Sequence, residues 1–159
     1  MTDDLETVHA QATALLGAVE KRQLGRVRAA EVVAFARACG EDDARYLDAR
    51  HPGFAVHPLY LPSLLRGPEG ARDEEYRPDG MFADEVPGTA GLAVRLMAGG
   101  QSIDFHRATP LGEEIEVRRT VERVEWKGRG SGRFLLITVG KVYHAAGPLV
   151  SVTEGFIVR

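Results

Sequence analysis

An α+β fold built on an antiparallel sheet is predicted by three features of this 159-residue chain. Helical periodicity is confined to the first 39 residues. From about residue 92 the apolar period changes to two. Short turn segments separate the alternating runs, so the strands join as hairpins, with helices before the sheet and not between its strands.

Residues 3–20 read as an amphipathic helix, with Leu5, Val8, Ala12, Leu15, Leu16 and Val19 on one face. Asp3 and Asp4 sit at its start, where carboxylates suit the helix dipole. A second helix is expected over 29–39, burying Val32, Phe35, Ala36 and Cys39, with Gly40 as its left-handed stop. Glu41 to Gly53 is polar and irregular, anchored by Tyr46 and Leu47. Pro58 to Leu65 suggests a short helix, with Pro62 near its first turn or kinking it. Residues 66–88 hold seven glycines and prolines among charges and read as a long loop, suited to a lid or a channel wall.

Four long strands follow. Ile103 and Phe105 alternate with polar neighbours, then Ile115, Val117 and Val121 do the same. Val124 and Trp126 continue the pattern shifted by one, which implies a bulge. Lys127 to Gly132 is a hairpin tip; it is no phosphate loop, because no Gly-Lys-Ser/Thr closes it and a strand follows. Phe134 to Val139 is almost continuously apolar, the mark of a central strand covered on both faces. A turn at 145–148 leads to the last strand, Leu149 to Val158.

With 44% hydrophobic and 27% charged residues, the composition fits one globular domain over 1–159, with residues 1–21 as an N-terminal helical extension. Twenty basic against 23 acidic residues give −3, which excludes a clustered basic nucleic-acid binder. One cysteine, Cys39, excludes an internal disulfide and a cysteine-built zinc site. No apolar run is long enough for a membrane span, and the acidic start is unlike a signal peptide, so a cytoplasmic protein is expected. No His pair has the i,i+4 spacing of a helical metal site, so neither metal nor bound cofactor is expected.

Two stretches carry a family resemblance. One is Val32-Val33-Ala34-Phe35-Ala36-Arg37-Ala38-Cys39-Gly40-Glu41-Asp42-Asp43-Ala44-Arg45-Tyr46; the other is Gly99-Gly100-Gln101-Ser102-Ile103-Asp104-Phe105-His106-Arg107 with Pro110-Leu111-Gly112-Glu113-Glu114-Ile115. From about residue 22 to the end the chain resembles the MaoC-like hot-dog dehydratases and hydratases. Within them it is most similar to the N-terminal half-type domain of two-subunit acyl-thioester dehydratases. The resemblance implies a hot-dog fold, a curved antiparallel sheet wrapped around a central helix. It also implies addition or removal of water across a 2-enoyl thioester of CoA or acyl carrier protein.

That reaction needs a base for water, an acid for the α-carbon and an N–H donor for the thioester oxygen. Complete members carry a motif like Gly-Asp-x-Asn-Pro-x-His, and a His-Gly pair that opens the central helix. Here the corresponding positions are Gly40-Glu41, Asp43-Ala44 and Tyr46, and the helix start reads His57-Pro58. A phenol with a pKa near 10 replaces imidazole, and proline has no N–H. The catalytic motif is therefore not intact: Glu41, Asp43 and Tyr46 are degenerate positions, and His57 paired with Glu41 or Asp43 is the possible substitute base. His57, Pro58, Gly100 and Gln101 are the implied substrate contacts. His106 lies out of phase with Ile103 and Phe105 and suits a structural hydrogen bond; His9, His51 and His144 suit the surface.

The leading expectation is a non-catalytic, substrate-shaping half of a (3R)-hydroxyacyl-thioester dehydratase or enoyl-CoA hydratase. It would work as a homodimer or as a heterodimer with a catalytic hot-dog partner. The alternatives are a self-sufficient homodimeric hydratase with an altered site, a non-catalytic acyl-CoA binding module, and a thioesterase of the same fold.

Overall fold

The alternating runs pair as one antiparallel sheet. A computed structural model describes residues 2–64 and 70–159. Its strands are β1 (Val19–Arg26), β2 (Leu96–Phe105), β3 (Glu114–Lys127), β4 (Phe134–His144) and β5 (Pro148–Val158), in the order β1-β3-β4-β5-β2. The helices are α1 (Thr2–Ala14), α2 (Ala29–Ala38) and the single-turn α3 (Ala44–Leu47). β4 is the central strand and none of its residues is exposed, as its near-continuous apolar run requires. The anticipated bulge in β3 is a register slip between Val121 and Arg123. It brings Val124 and Trp126 into the same apolar cluster as Val121.

Three local expectations are corrected. The first helix stops at Ala14 instead of residue 20; Gly17, at φ 74°, turns the chain into β1. A strand therefore lies between α1 and α2, and Leu15, Leu16 and Val19 are exposed. β1 is an edge strand that buries only Leu24, so it carries no alternation to detect. Cys39 is exposed, not core: α2 ends at Ala38 and Cys39 caps it beyond the stripe formed by Val32 and Ala36. The stretch expected as a short helix over 58–65 holds a turn at 58–60 and one 3-10 turn, Leu61–Ser63; Leu65 lies outside the described residues.

The long segment over 66–88 is also different from its expectation. Residues 66–69 lie outside the described residues, and 70–88 are pinned. Arg119 donates to the carbonyls of Asp84 and Glu85 at 2.8 and 3.2 Å, and Arg22 pairs with Asp84 at 3.0 Å. Gly88, at φ 86°, lies so close to α1 that a Cβ there would stand 2.7 Å from the Ala12 nitrogen. Burial of Val86 and Thr89 completes the anchoring.

Two apolar clusters make the core. One joins α2 and residues 54–64 to the sheet through Val32, Tyr60, Leu61, Ile115, Val117 and Tyr143. The other joins Val8 and Ala12 of α1 to Leu135, Ile137, Val139 and Phe156. Val8 and Ala12 are fully buried, so α1 is part of the core rather than an appendage. At mid-sheet, Lys141 interrupts the core-facing series of β4 between Val139 and Tyr143. Its Nζ meets Glu85 at 3.0 Å and also pairs with Glu154 of β5. On the neighbouring strands Arg119 pairs with Glu20 at 2.7 Å, so a row of buried and half-buried charges crosses the sheet.

Candidate functional site

The segment after α2 and the turn at 57–60 bring Glu41, Tyr46 and His57 together. His57 Nε2 lies 3.6 Å from Glu41 Oε2, with both side chains largely covered (15% and 22% exposed). The gap is an ion-pair distance, longer than a directed hydrogen bond. Tyr46 meets the His57 ring edge-on at 5.4 Å between centroids, and Phe35 packs on it at 5.5 Å. Tyr60 stands edge-on to Phe35 at 5.5 Å. Its phenol is pushed up to about 12 by burial, reinforced by the Glu31 carboxylate beside it.

The hydrogen bonds around this cluster decide what it can do. The Leu59 N–H donates to His57 Nδ1 at 3.2 Å. In the neutral ring the proton therefore sits on Nε2, facing Glu41, and no ring lone pair remains for a water molecule. Glu41 Oε1 accepts the N–H groups of Asp42 and Asp43 at 3.0 and 3.1 Å. Asp43 caps α3: it accepts the Arg45 N–H at 2.9 Å and pairs with the Arg45 guanidinium at 3.0 Å. That N–H and, after the opposing effect of burial, the arginine charge hold its carboxyl below the usual aspartate value. Pro58 has no N–H, and the next one, on Leu59, is spent on His57.

Gly100 and Gln101 lie elsewhere, on the edge strand β2. Among the described residues no hydrogen bond or ion pair links them to the His57 cluster. Gly100 (φ 132°) sits at a register slip against β5 that only glycine accommodates readily. Gln101 Nε2 donates to Glu154 Oε1 at 2.7 Å. The two residues line a cleft of about 230 Å³ with Ala98, Glu154, Gly155 and Phe156. Of the other histidines, His106 shares a 2.7 Å hydrogen bond with Ser151, His51 accepts the Gly53 N–H, His9 stacks on Trp126, and His144 lies half-buried at the end of β4. Among the described residues, no group of three or more His, Cys, Asp or Glu is placed to hold a metal ion, and no helix is long and apolar enough to cross a membrane.

Sequence reasoning missed the buried charges. Lys141, Glu154 and Arg119 each sit in phase with core residues of their strands, and that misplaced charge was the available signal. Tyr60 and Glu31 carried none, since their meeting depends on how α2 lies over residues 54–64.

A family model described as FAS1-like, dehydratase domain region, matches residues 14–152. Among solved structures, the chain is similar to one from the ChsH1-ChsH2 complex of Mycobacterium tuberculosis, with a TM-score of 0.66 and 16% identity, covering 99% of this chain and 92% of that one. It is also similar to the MaoC-like dehydratase of Rhodospirillum rubrum (TM-score 0.57, 21% identity, 90% of each chain). A third is in the HadBC (3R)-hydroxyacyl-ACP dehydratase complex of M. tuberculosis (TM-score 0.56, 10% identity, 91% and 97%). At these identities the likeness is one of fold. No curated protein matches the chain significantly in sequence.

Proposed function

Because the chain belongs to the FAS1-like dehydratase-region family of hot-dog proteins, we propose that it is the substrate-shaping, non-catalytic half of an acyl-thioester hydro-lyase. Its catalytic half is a second hot-dog chain that supplies the Asp and His. The observation that carries this reading is the double loss at residues 57–59. Pro58 offers no N–H, and the Leu59 N–H is already donated to His57, so no free donor awaits a thioester oxygen there. Tyr46 stands in the imidazole position and is packed edge-on against His57. Two of the structural relatives come from two-component complexes, ChsH1-ChsH2 and HadBC, which supports a paired arrangement. In this reading Gly100 and Gln101, in their cleft on edge strand β2, contact the acyl thioester at the junction with the partner. The substrate is a 2-enoyl or 3-hydroxyacyl thioester of CoA or carrier protein, and no further cofactor takes part.

One observation favours a second reading, a self-sufficient hydratase: the fold does bring His57 and Glu41 to 3.6 Å in a half-covered site. Crotonyl-CoA hydration by the purified chain alone, beside a His57→Ala variant, separates the two. The first reading expects no turnover from either protein, and turnover only after co-expression with a catalytic hot-dog chain. Turnover by the wild-type chain that His57→Ala abolishes would establish the second reading and end the first.

A further inference from the structure

The Gly-rich hairpin tip at 127–132 has no part in the reading above, yet the fold builds a cleft beside it. The cleft measures about 260 Å³, and its lining combines apolar Leu5, Ala93 and Val94 with Ser131, Arg133 and Arg159. Both arginines rest on aromatic platforms. The Arg133 guanidinium lies 3.9 Å from the centre of the Trp126 ring, and His9 stacks on the same tryptophan at 5.4 Å. Arg159 lies 5.3 Å from the Phe134 ring. Such stacking holds a guanidinium in place before an anion arrives, so less entropy is lost on binding.

The donors in this lining are largely uncommitted. Arg133 spends one nitrogen on Glu6 at 2.7 Å, and a guanidinium carries five N–H groups. The Arg159 main chain is tied to Arg95 in both directions, at 2.9 and 2.6 Å, while its side chain enters no ion pair among the described residues. The Ser131 hydroxyl likewise has no protein partner among them. The tip itself is tightly wound. A Cβ at Gly128 would stand 2.5 Å from the Gly132 carbonyl, and Gly130 has a φ of 55°, so glycine at these positions sets where Ser131 and Arg133 are presented.

We propose that this cleft binds a small phosphate ester, with Arg133, Arg159 and Ser131 on the phosphate and Leu5, Ala93 and Val94 against its organic body. With Arg133 shared with Glu6, Arg159 is the cation left unpaired among the described residues, and the unspent N–H groups of both guanidinium forks offer directed donors to a phosphate. The apolar share of the lining favours an ester over the free anion. The volume lies below the range of about 300–1,000 Å³ typical of drug-sized ligands, which limits the ligand to about one nucleotide or less. This site does not rest on the hydro-lyase reading; it stands or falls separately.

The test is calorimetric titration of the intact chain with AMP, adenosine and inorganic phosphate. Amide shifts of Gly130 and Ser131 locate the site. AMP is expected to bind more tightly than either fragment, to shift both amides, and to weaken as salt is raised. Arg159→Gln and Arg133→Gln are each expected to lower AMP affinity about tenfold or more, as the loss of a charge-assisted hydrogen bond requires. Arg159 is exposed and outside the core, so Arg159→Gln keeps the test valid if Arg133→Gln, which also breaks the Glu6 pair, fails to fold. No AMP binding, binding that leaves the 130–131 amides unmoved, affinity unchanged in Arg159→Gln, or phosphate alone binding as tightly as AMP would each overturn the assignment. If AMP binds as expected, tighter binding of 4′-phosphopantetheine with the same arginine dependence would support the site further and identify an acyl carrier rather than a nucleotide as the source of the ester.

Discussion

Replacing Lys141 by methionine would leave Glu85 and Glu154 facing the core with no cation between them. The triad is well buried: Lys141, Glu85 and Glu154 are 5%, 10% and 17% exposed. Glu154 Oε2 meets Lys141 as an ion pair and has no hydrogen-bond partner among the described residues, so removing the ammonium leaves Glu154 only the Gln101 donor on its other oxygen. Breaking one side of a buried pair costs about 3–5 kcal/mol, because the remaining charge stays desolvated. Against a typical total of about 5–15 kcal/mol, that is a large fraction. With a urea slope of about 2 kcal/mol/M, the unfolding midpoint of Lys141→Met should fall by roughly 1.5–2.5 M. The cost lies in the orphaned carboxylates, so Glu85→Gln added to Lys141→Met should recover part of it, with a coupling of about 1–3 kcal/mol. Urea unfolding of the wild type, both single variants and the double variant measures this. A midpoint shift below about 0.5 M for Lys141→Met, or strict additivity in the double variant, would show that the charged row is hydrated and contributes little.

Further expectations follow from other parts of the fold. Burial works to raise the Glu20 carboxyl, but the hydrogen bonds and charges of Arg119 and Arg22 outweigh it and hold it below its ordinary 4.5. Its stabilisation is thus complete above pH 4.5 and lost as pH falls through the lower folded value; Arg119→Gln should flatten that acid limb in urea midpoints taken from pH 3 to 6. Tyr60 behaves in the opposite sense: with its phenol raised from 10.0 to about 12, stability should decline as pH rises between those values, and Tyr60→Phe should remove that decline. Gly88→Ala places a Cβ 2.7 Å from the Ala12 backbone at a φ of 86°, and should cost about 1–3 kcal/mol in chemical unfolding. Cys39, being exposed, should react fully with a thiol reagent in the native state, whereas slow modification limited by unfolding would return it to the core.

The class of fold was legible because a sheet with one covered face writes period-two alternation into its strands. Ile115, Val117 and Val121 announce β3, and the phase slip before Val124 announces its bulge. The strand at 19–26 was not legible, because an edge strand of sequence VEKRQLGR buries one side chain and displays no period. The helix before it was overrun for the same reason: Leu15, Leu16 and Val19 fit a helical stripe but lie past the point where the core ends. At the candidate site, the residue types at 41, 43, 46, 57 and 58 carried an expectation, by resemblance alone, that an imidazole and an N–H donor are replaced there.

Only the tertiary structure brought His57 to Glu41 and spent the Leu59 N–H on the imidazole, since hydrogen-bond direction depends on how the 57–60 turn lies against α2. Only packing, likewise, turned the polar, glycine-rich segment at 70–88 into a pinned strap, because Arg22, Arg119 and Lys141 come to it from strands far away in sequence. Local periodicity records which face of a strand is dry. It does not record which distant side chain meets a loop there, and in this protein those meetings place the buried charges and occupy the donors of the site.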